Sequence, residues 1–211
     1  MLKRISLIAF LCCLGFIPRL EGYSLDFDLI DFTGSGTTLN AVCFVPDNPG
    51  QTLDNRYFVV GDMGWFYILR SDGSIIQDSL QLPYGSEYNL SGVSGFRYHP
   101  RDDSVLVIAV GYKRDSTATG AKYKGAIWYS LNRGVRGSWN RVSEEDLPIE
   151  VRLEYAPVPF LDVHVVNRWH AWVSCGNGYV MKSTDGGVSW SLRPSSPGPN
   201  KPVRPNYMGW F

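Results

Sequence analysis

Between residues 160 and 190 the chain alternates short apolar runs with small polar breaks. Phe160-Leu161-Asp162-Val163-His164-Val165-Val166 comes first, then Trp169-His170-Ala171-Trp172-Val173-Ser174-Cys175-Gly176, then Gly178-Tyr179-Val180-Met181-Lys182-Ser183. Ser189 to Arg193 supplies a fourth run. Each run is rich in β-branched and aromatic residues, and Gly, Asn or Asp stands between them, as strands joined by hairpins require. The same order occurs twice earlier. In the first copy Leu39–Val45, Arg56–Gly61, Trp65–Arg70 and Ser74–Leu82 are the four runs. In the middle copy they begin at Leu90–Phe96 and Ser104–Gly111, pass a polar insertion at Lys113–Lys124, and resume at Gly125–Tyr129. The second runs end on Gly61, Gly111 and Gly176, spaced by 50 and 65 residues. Four strands per repeat at this period predict the blades of a β-propeller, with insertions in some loops.

The predicted fold is therefore all-β: about three four-stranded blades over 37–83, 88–148 and 158–194, within a repeat region 23–211. Leu25–Phe32 alternates like an outer strand, and Asn206–Phe211 reads as the start of a further blade. Three blades do not close a ring, which takes typically 4–8. The sequence is thus expected to be part of an incomplete ring, either a piece of a longer protein or a copy that self-associates.

Between the third and fourth runs of the last copy lies Ser183-Thr184-Asp185-Gly186-Gly187-Val188-Ser189-Trp190. Ser183 and Asp185 are spaced to hydrogen-bond a tight turn, Gly187 permits a positive φ, Ser189 closes the turn, and Trp190 anchors the next strand. Degenerate versions occupy the same place in the other copies. They are Ser71, Asp72 and Gly73 in the first, and Ser130, Asn132, Gly134 and, after extra residues, Trp139 in the second. The pattern S-x-D-x-G-x-S-W is the Asp-box, or BNR repeat. It recurs in sialidases, sortilin-type receptors and photosystem II assembly/stability factors, all of them propellers. Trp172–Gly176 with Gly178–Gly187 and Trp190 resembles a blade of the last family. That family is a non-enzymatic propeller, so the resemblance implies an extracytoplasmic interaction or assembly scaffold. It does not imply a photosystem partner.

Charge and targeting narrow the setting. Lys3 and Arg4 precede an apolar run of 13 residues from Ile5 to Ile17, closed by Pro18. The run is short for a bilayer span, so residues 1–22 read as a secretory signal peptide and the protein as secreted or periplasmic. Cys12 and Cys13 lack the small preceding residue that lipidation prefers. Without 1–22, Lys and Arg number 17 and Asp and Glu 19, a net charge of −2. No basic block marks a nucleic-acid partner. Cys43 and Cys175 remain, and two separately buried thiols are expected rather than a disulfide.

Candidate chemistry is sparse. A sialidase needs clamp arginines and paired carboxyl groups. Phe96-Arg97-Tyr98-His99-Pro100 is superficially similar to the segment bearing the first clamp, with one residue too many. Arg97 is a weak candidate there, and it falls just past a first strand, where a turn arginine is ordinary. Asp102-Asp103 and Glu144-Glu145-Asp146 read as solvated turn charges. His99, His164 and His170 have no metal-ligand spacing, and no cofactor or metal is expected. The expected function is a non-catalytic scaffold for a protein or glycan partner, with contacts from blade-edge loops such as Lys113–Lys124. The competing reading is a sialidase-like or other glycan-directed hydrolase with most catalytic residues outside this chain.

Overall fold

The computed structural model describes residues 38–46, 56–70, 74–98, 104–115, 122–152 and 158–193. Among these residues twelve strands form three four-stranded antiparallel sheets, each a simple meander in which every strand pairs with the next. The first sheet holds β1 (Leu39–Val45), β2 (Arg56–Gly61), β3 (Trp65–Arg70) and β4 (Ile75–Gln81). The second holds β5 (Asn89–Arg97), β6 (Val105–Asp115), β7 (Lys122–Ser130) and β8 (Trp139–Arg141). The third holds β9 (Phe160–Val165), β10 (Ala171–Cys175), β11 (Val180–Ser183) and β12 (Ser191–Arg193). The only α-helix among the described residues is one turn, Ile149–Arg152. The architecture is all-β and propeller-like, with the sheets as blades. The segments 1–22, Leu25–Phe32, Ser71-Asp72-Gly73, His99, Asp102-Asp103 and Asn206–Phe211 lie outside the described residues.

The middle sheet shows why some runs are continuously apolar. Val105, Val107 and Ala109 point into a core shared with Phe58, Val60, Phe66 and Ile68 of the first sheet. Leu106, Ile108 and Val110 point the other way, into a core shared with Val163, Val165, Ala171, Val173 and Met181 of the third. A strand buried on both faces has no polar side to alternate with, so β6 reads as one apolar block.

The first strands β1, β5 and β9 neighbour one another across the joints. Each carries a bulge at its start, opposite the end of the second strand. The bulge residue is Asn40 in β1 and Ser91 in β5, and both side chains cross the joint. Asn40 Nδ2 donates to the Leu90 carbonyl at 2.8 Å, and Ser91 Oγ donates to the Phe160 carbonyl at 2.7 Å. The acceptors occupy equivalent positions, since Leu90 pairs with Gly111 and Phe160 with Cys175. Further along the second joint, the Val165 N–H donates to the buried Ser94 Oγ at 3.0 Å. Each joint is thus apolar packing tied by side-chain to main-chain hydrogen bonds, which set the register between blades.

Two details depart from the sequence reading. The equivalent of Gly61 and Gly111 in the third sheet is Cys175, one residue before Gly176. A Cβ on Gly61 would lie 2.4 Å from the Thr38 carbonyl oxygen, and one on Gly111 2.5 Å from that of Asn89. In the third sheet Pro159 moves the close approach one residue on, because a Cβ on Gly176 would lie 2.8 Å from its Cδ. The second departure is the polar insertion. β6 runs on to Asp115 and β7 begins at Lys122, so the two ends of Lys113–Lys124 are paired strand, and residues 116–121 lie outside the described residues. The alternation of Tyr and Lys is a strand pattern, masked in the sequence by its charge.

Candidate functional site

The turn from Ser183 to Trp190 is built from its side chains. The fully buried Ser183 Oγ accepts the Gly187 N–H at 2.8 Å and the Asp185 N–H at 3.4 Å, and donates to Asp185 Oδ1 at 2.8 Å. The Asp185 carboxylate also accepts the Val188 and Ser189 N–H groups at 3.1 and 3.0 Å and the Ser189 hydroxyl at 2.5 Å. Burial pushes this carboxyl's pKa up, but hydrogen bonds from Ser189, Ser183 and Val188 outweigh it and hold the pKa below its usual value. Gly187 has φ +94, and a Cβ there would lie 2.8 Å from Ile108 Cδ1. Trp190 is buried in the second joint, and its Nε1 donates to the Gly187 carbonyl at 3.0 Å.

The turn from Ser130 to Trp139 repeats this plan. Ser130 Oγ accepts the Asn132 and Gly134 N–H groups at 3.2 and 3.1 Å, Gly134 has φ +69, and Trp139 Nε1 donates to the Gly134 carbonyl at 2.8 Å. Ser138 does part of the work of the missing carboxylate, through contacts of 2.6 Å each with Ser130 Oγ and the Val135 carbonyl. Trp139 packs edge-on against Phe66 of the first sheet, with ring centroids 4.8 Å apart. Each of these turns therefore drives its Trp toward the preceding blade.

Arg97 lies inside β5 as its last residue, not in the turn beyond it. It is half-buried, and its Nε donates to the Pro46 carbonyl at 3.3 Å, across to the first blade. Glu144, Glu145 and Asp146 form a 3-10 turn after β8, started by the Ser143 hydroxyl accepting the Glu145 N–H. His170 Nδ1 lies 3.1 Å from Asn167 Oδ1 in the turn between β9 and β10. Cys43 is half-buried, Cys175 is buried, and both are free thiols with pKa values pushed up by burial.

The β6–β7 hairpin outreaches its neighbours. β5 pairs with β6 only as far as Tyr112, whereas β6 and β7 stay paired through Lys113–Lys124, Arg114–Tyr123 and Asp115–Lys122. At its base a polar cluster gathers that no sequence motif marked. Tyr88, just before β5, is buried and packs edge-on against the buried Trp128 at 5.2 Å. The Arg141 guanidinium stands 5.1 Å from the Tyr88 ring and 5.9 Å from the Trp128 ring, and donates to the Tyr88 hydroxyl at 2.7 Å. Lys113 lies 5.3 Å from the same Tyr88 ring and pairs with Glu87 at 2.5 Å. Lys124, directly opposite Lys113 on the hairpin, pairs with Glu144. Hydrogen bonds from the lysines hold both glutamates below their ordinary pKa, and Glu87 raises that of Lys113.

A second concave feature is an open hollow of about 380 Å³ on the third sheet, over Asp162, His164, Trp172, Ser174 and Val180. Burial raises the Asp162 pKa, while the Val163 N–H, donating to it at 2.8 Å, pulls the other way. Lys182 lies 5.3 Å over the Trp172 ring. Among the described residues no group of His, Cys, Asp and Glu is placed to hold a metal ion, and no helix is long and apolar enough to cross a membrane.

No protein-family model matches the chain, and no curated protein matches it. Among solved structures the chain is similar to YCF48 from Cyanidioschyzon merolae, with a TM-score of 0.41 and 16% identity, over 78% of this chain and 42% of that one. The chain thus spans less than half the length of that structure.

Proposed function

We propose that the protein is an extracytoplasmic, non-catalytic scaffold that binds a partner through the β6–β7 hairpin and the surface at its base. The observation that carries this reading is where the polar side chains are used. Both oxygens of Asp185, the acid within the motif, are engaged by its own turn. Arg97 reaches the neighbouring blade. In contrast, the hairpin stands beyond the sheet that supports it, with Tyr123 and Arg114 exposed near its end. A paired arm offers a binding surface at a smaller ordering cost than an unpaired loop. Export rests on Lys3, Arg4 and the apolar run after them.

The test combines location, capture and activity. The full chain is produced in a bacterium with a photo-crosslinking residue at Tyr123, and a second version carries it at Thr184, exposed on the other turn. Release of a product shortened by about 22 residues outside the cytoplasm supports the signal-peptide reading. Crosslinking to a macromolecule from Tyr123 and not from Thr184 supports the scaffold. A cytosolic product that retains Met1, or turnover of a fluorogenic sialoside, overturns it.

A further inference from the structure

We infer that Arg141, flanked by Lys113 and Lys124, is a recognition point for an acidic peptide segment of a partner protein. The inference rests on the scaffold reading and names the chemistry of the partner. Three cations meet at the base of the hairpin, and only two carboxylates answer them, Glu87 on Lys113 and Glu144 on Lys124. Among the described residues no carboxylate pairs with Arg141. Its Nε is buried with no hydrogen-bond acceptor, and its one hydrogen bond goes to the neutral Tyr88 hydroxyl. Two aromatic rings and that hydroxyl fix the orientation of the guanidinium. A planar, pre-oriented fork is suited to a carboxylate.

The lysines beside it are in an arrangement that local stability alone disfavours. Lys113 and Lys124 are direct cross-strand partners, and like charges in that position repel. Lys113 and Arg141 also share one tyrosine ring. The glutamates that offset this repulsion are exposed, with relative side-chain areas of 68% for Glu87 and 51% for Glu144. Water competes at such pairs, so each is weak and exchangeable. An incoming Glu or Asp can replace Glu87 on Lys113 like for like while a second carboxylate meets Arg141.

An acidic peptide fits better than a phosphate polymer. With both glutamates in place the cluster carries a net charge of only +1, from three cations and two carboxylates. Binding to a nucleic-acid backbone draws on many neutralised phosphates. Tyr112 and Tyr123 pack edge-on at 5.4 Å on the other face of the same hairpin, away from the lysines.

The probe is a fluorescein-labelled ten-residue peptide of alternating Glu and Gly, titrated with the full chain and followed by anisotropy. A Lys-Gly peptide of equal length and phosphatidylglycerol vesicles serve as comparisons. We expect saturable binding of the acidic peptide alone, weakening as salt rises. Arg141→Lys keeps the charge and removes the fork, and we expect at least a fivefold loss of affinity. Glu87→Gln and Glu144→Gln each free a lysine, and we expect both to tighten binding about threefold. A purely structural role for the two ion pairs would not produce that gain. The inference is overturned if Glu87→Gln weakens binding, if the Lys-Gly peptide binds equally well, or if only the vesicles bind. Crosslinking from Tyr123 without acidic-peptide binding overturns this inference and leaves the scaffold standing. Absence of both overturns the two together.

Discussion

Replacing Asp185 by Ala removes the acceptor for four donors in one turn: the Ser183 hydroxyl, the Val188 and Ser189 N–H groups, and the Ser189 hydroxyl. Hydrogen bonds to a charged group contribute about 1.5–3 kcal/mol each, but that range does not multiply by four here. Val188 and Ser189 are exposed, so water can replace the carboxylate at their N–H groups. The Ser183 hydroxyl is fully buried and loses its acceptor, which costs about 1–3 kcal/mol. Some of this is recovered if the hydroxyl rotates to a carbonyl, and some is added by the looser loop. The expected loss is about 2 kcal/mol, or roughly 4–8 °C in Tm for a chain of this length. Asp185→Asn keeps an acceptor and should lose less. The assay is urea unfolding of wild type and variants, followed by far-UV circular dichroism. The carboxyl's pKa is depressed in the folded state, so its contribution is present above the unfolded value of about 4 and is lost as pH falls through the folded pKa. The gap between wild type and Asp185→Ala should therefore shrink at acid pH. A gap below about 0.5 kcal/mol at pH 7, or one equally large at about pH 2.5, would refute the reasoning from the turn's hydrogen bonds.

Three further outcomes are expected. Gly125→Ala places a Cβ 2.5 Å from the Phe160 ring and should destabilise by about 1–3 kcal/mol in chemical unfolding, with partial recovery when Phe160→Leu is added. Ser91→Ala cuts the tie to the Phe160 carbonyl and should cost about 1 kcal/mol, with faster amide exchange confined to β9 and its neighbours. Cys175 is buried with a raised pKa, so iodoacetamide followed by mass spectrometry should label it only after unfolding, while Cys43 reacts slowly in the native protein.

The strands were legible in the sequence because a sheet buried on both faces writes itself as an unbroken apolar run, as at Val105–Val110. The Gly61 and Gly111 positions were equally plain, since only a residue without Cβ passes the carbonyls beside them. The third sheet hid its register, because Pro159 displaces that contact and lets Cys175 take the glycine's place. The cluster at Arg141 left no trace in the pattern. Its members come from the segment before β5, from both hairpin arms, from β8 and from the turn after it, so no spacing along the chain unites them. Its one local signal is the pairing of Lys113 with Lys124, which appears only once the hairpin register is known.

The two joints show how a repeat array divides its energy. Among the described residues the extensive contacts run between consecutive sheets, so a defect at one joint should stay there. Within a joint, apolar packing supplies most of the stability, while Asn40 and Ser91 fix which carbonyl lies opposite which side chain. The face by which each sheet meets its successor differs in kind. In the first sheet it is Cys43, Phe58, Val60 and Ile68, and in the second Ser94, Ile108, Val110 and Ile127. The corresponding face of the third sheet carries Asp162, His164, Trp172 and Ser174, and Leu161 stands where Asn40 and Ser91 donate. A surface laid on the first two faces has only to fill volume and present one carbonyl. One laid on the third would bury the Asp162 carboxylate further, and a buried charge without full compensation costs more than the surrounding apolar contact returns.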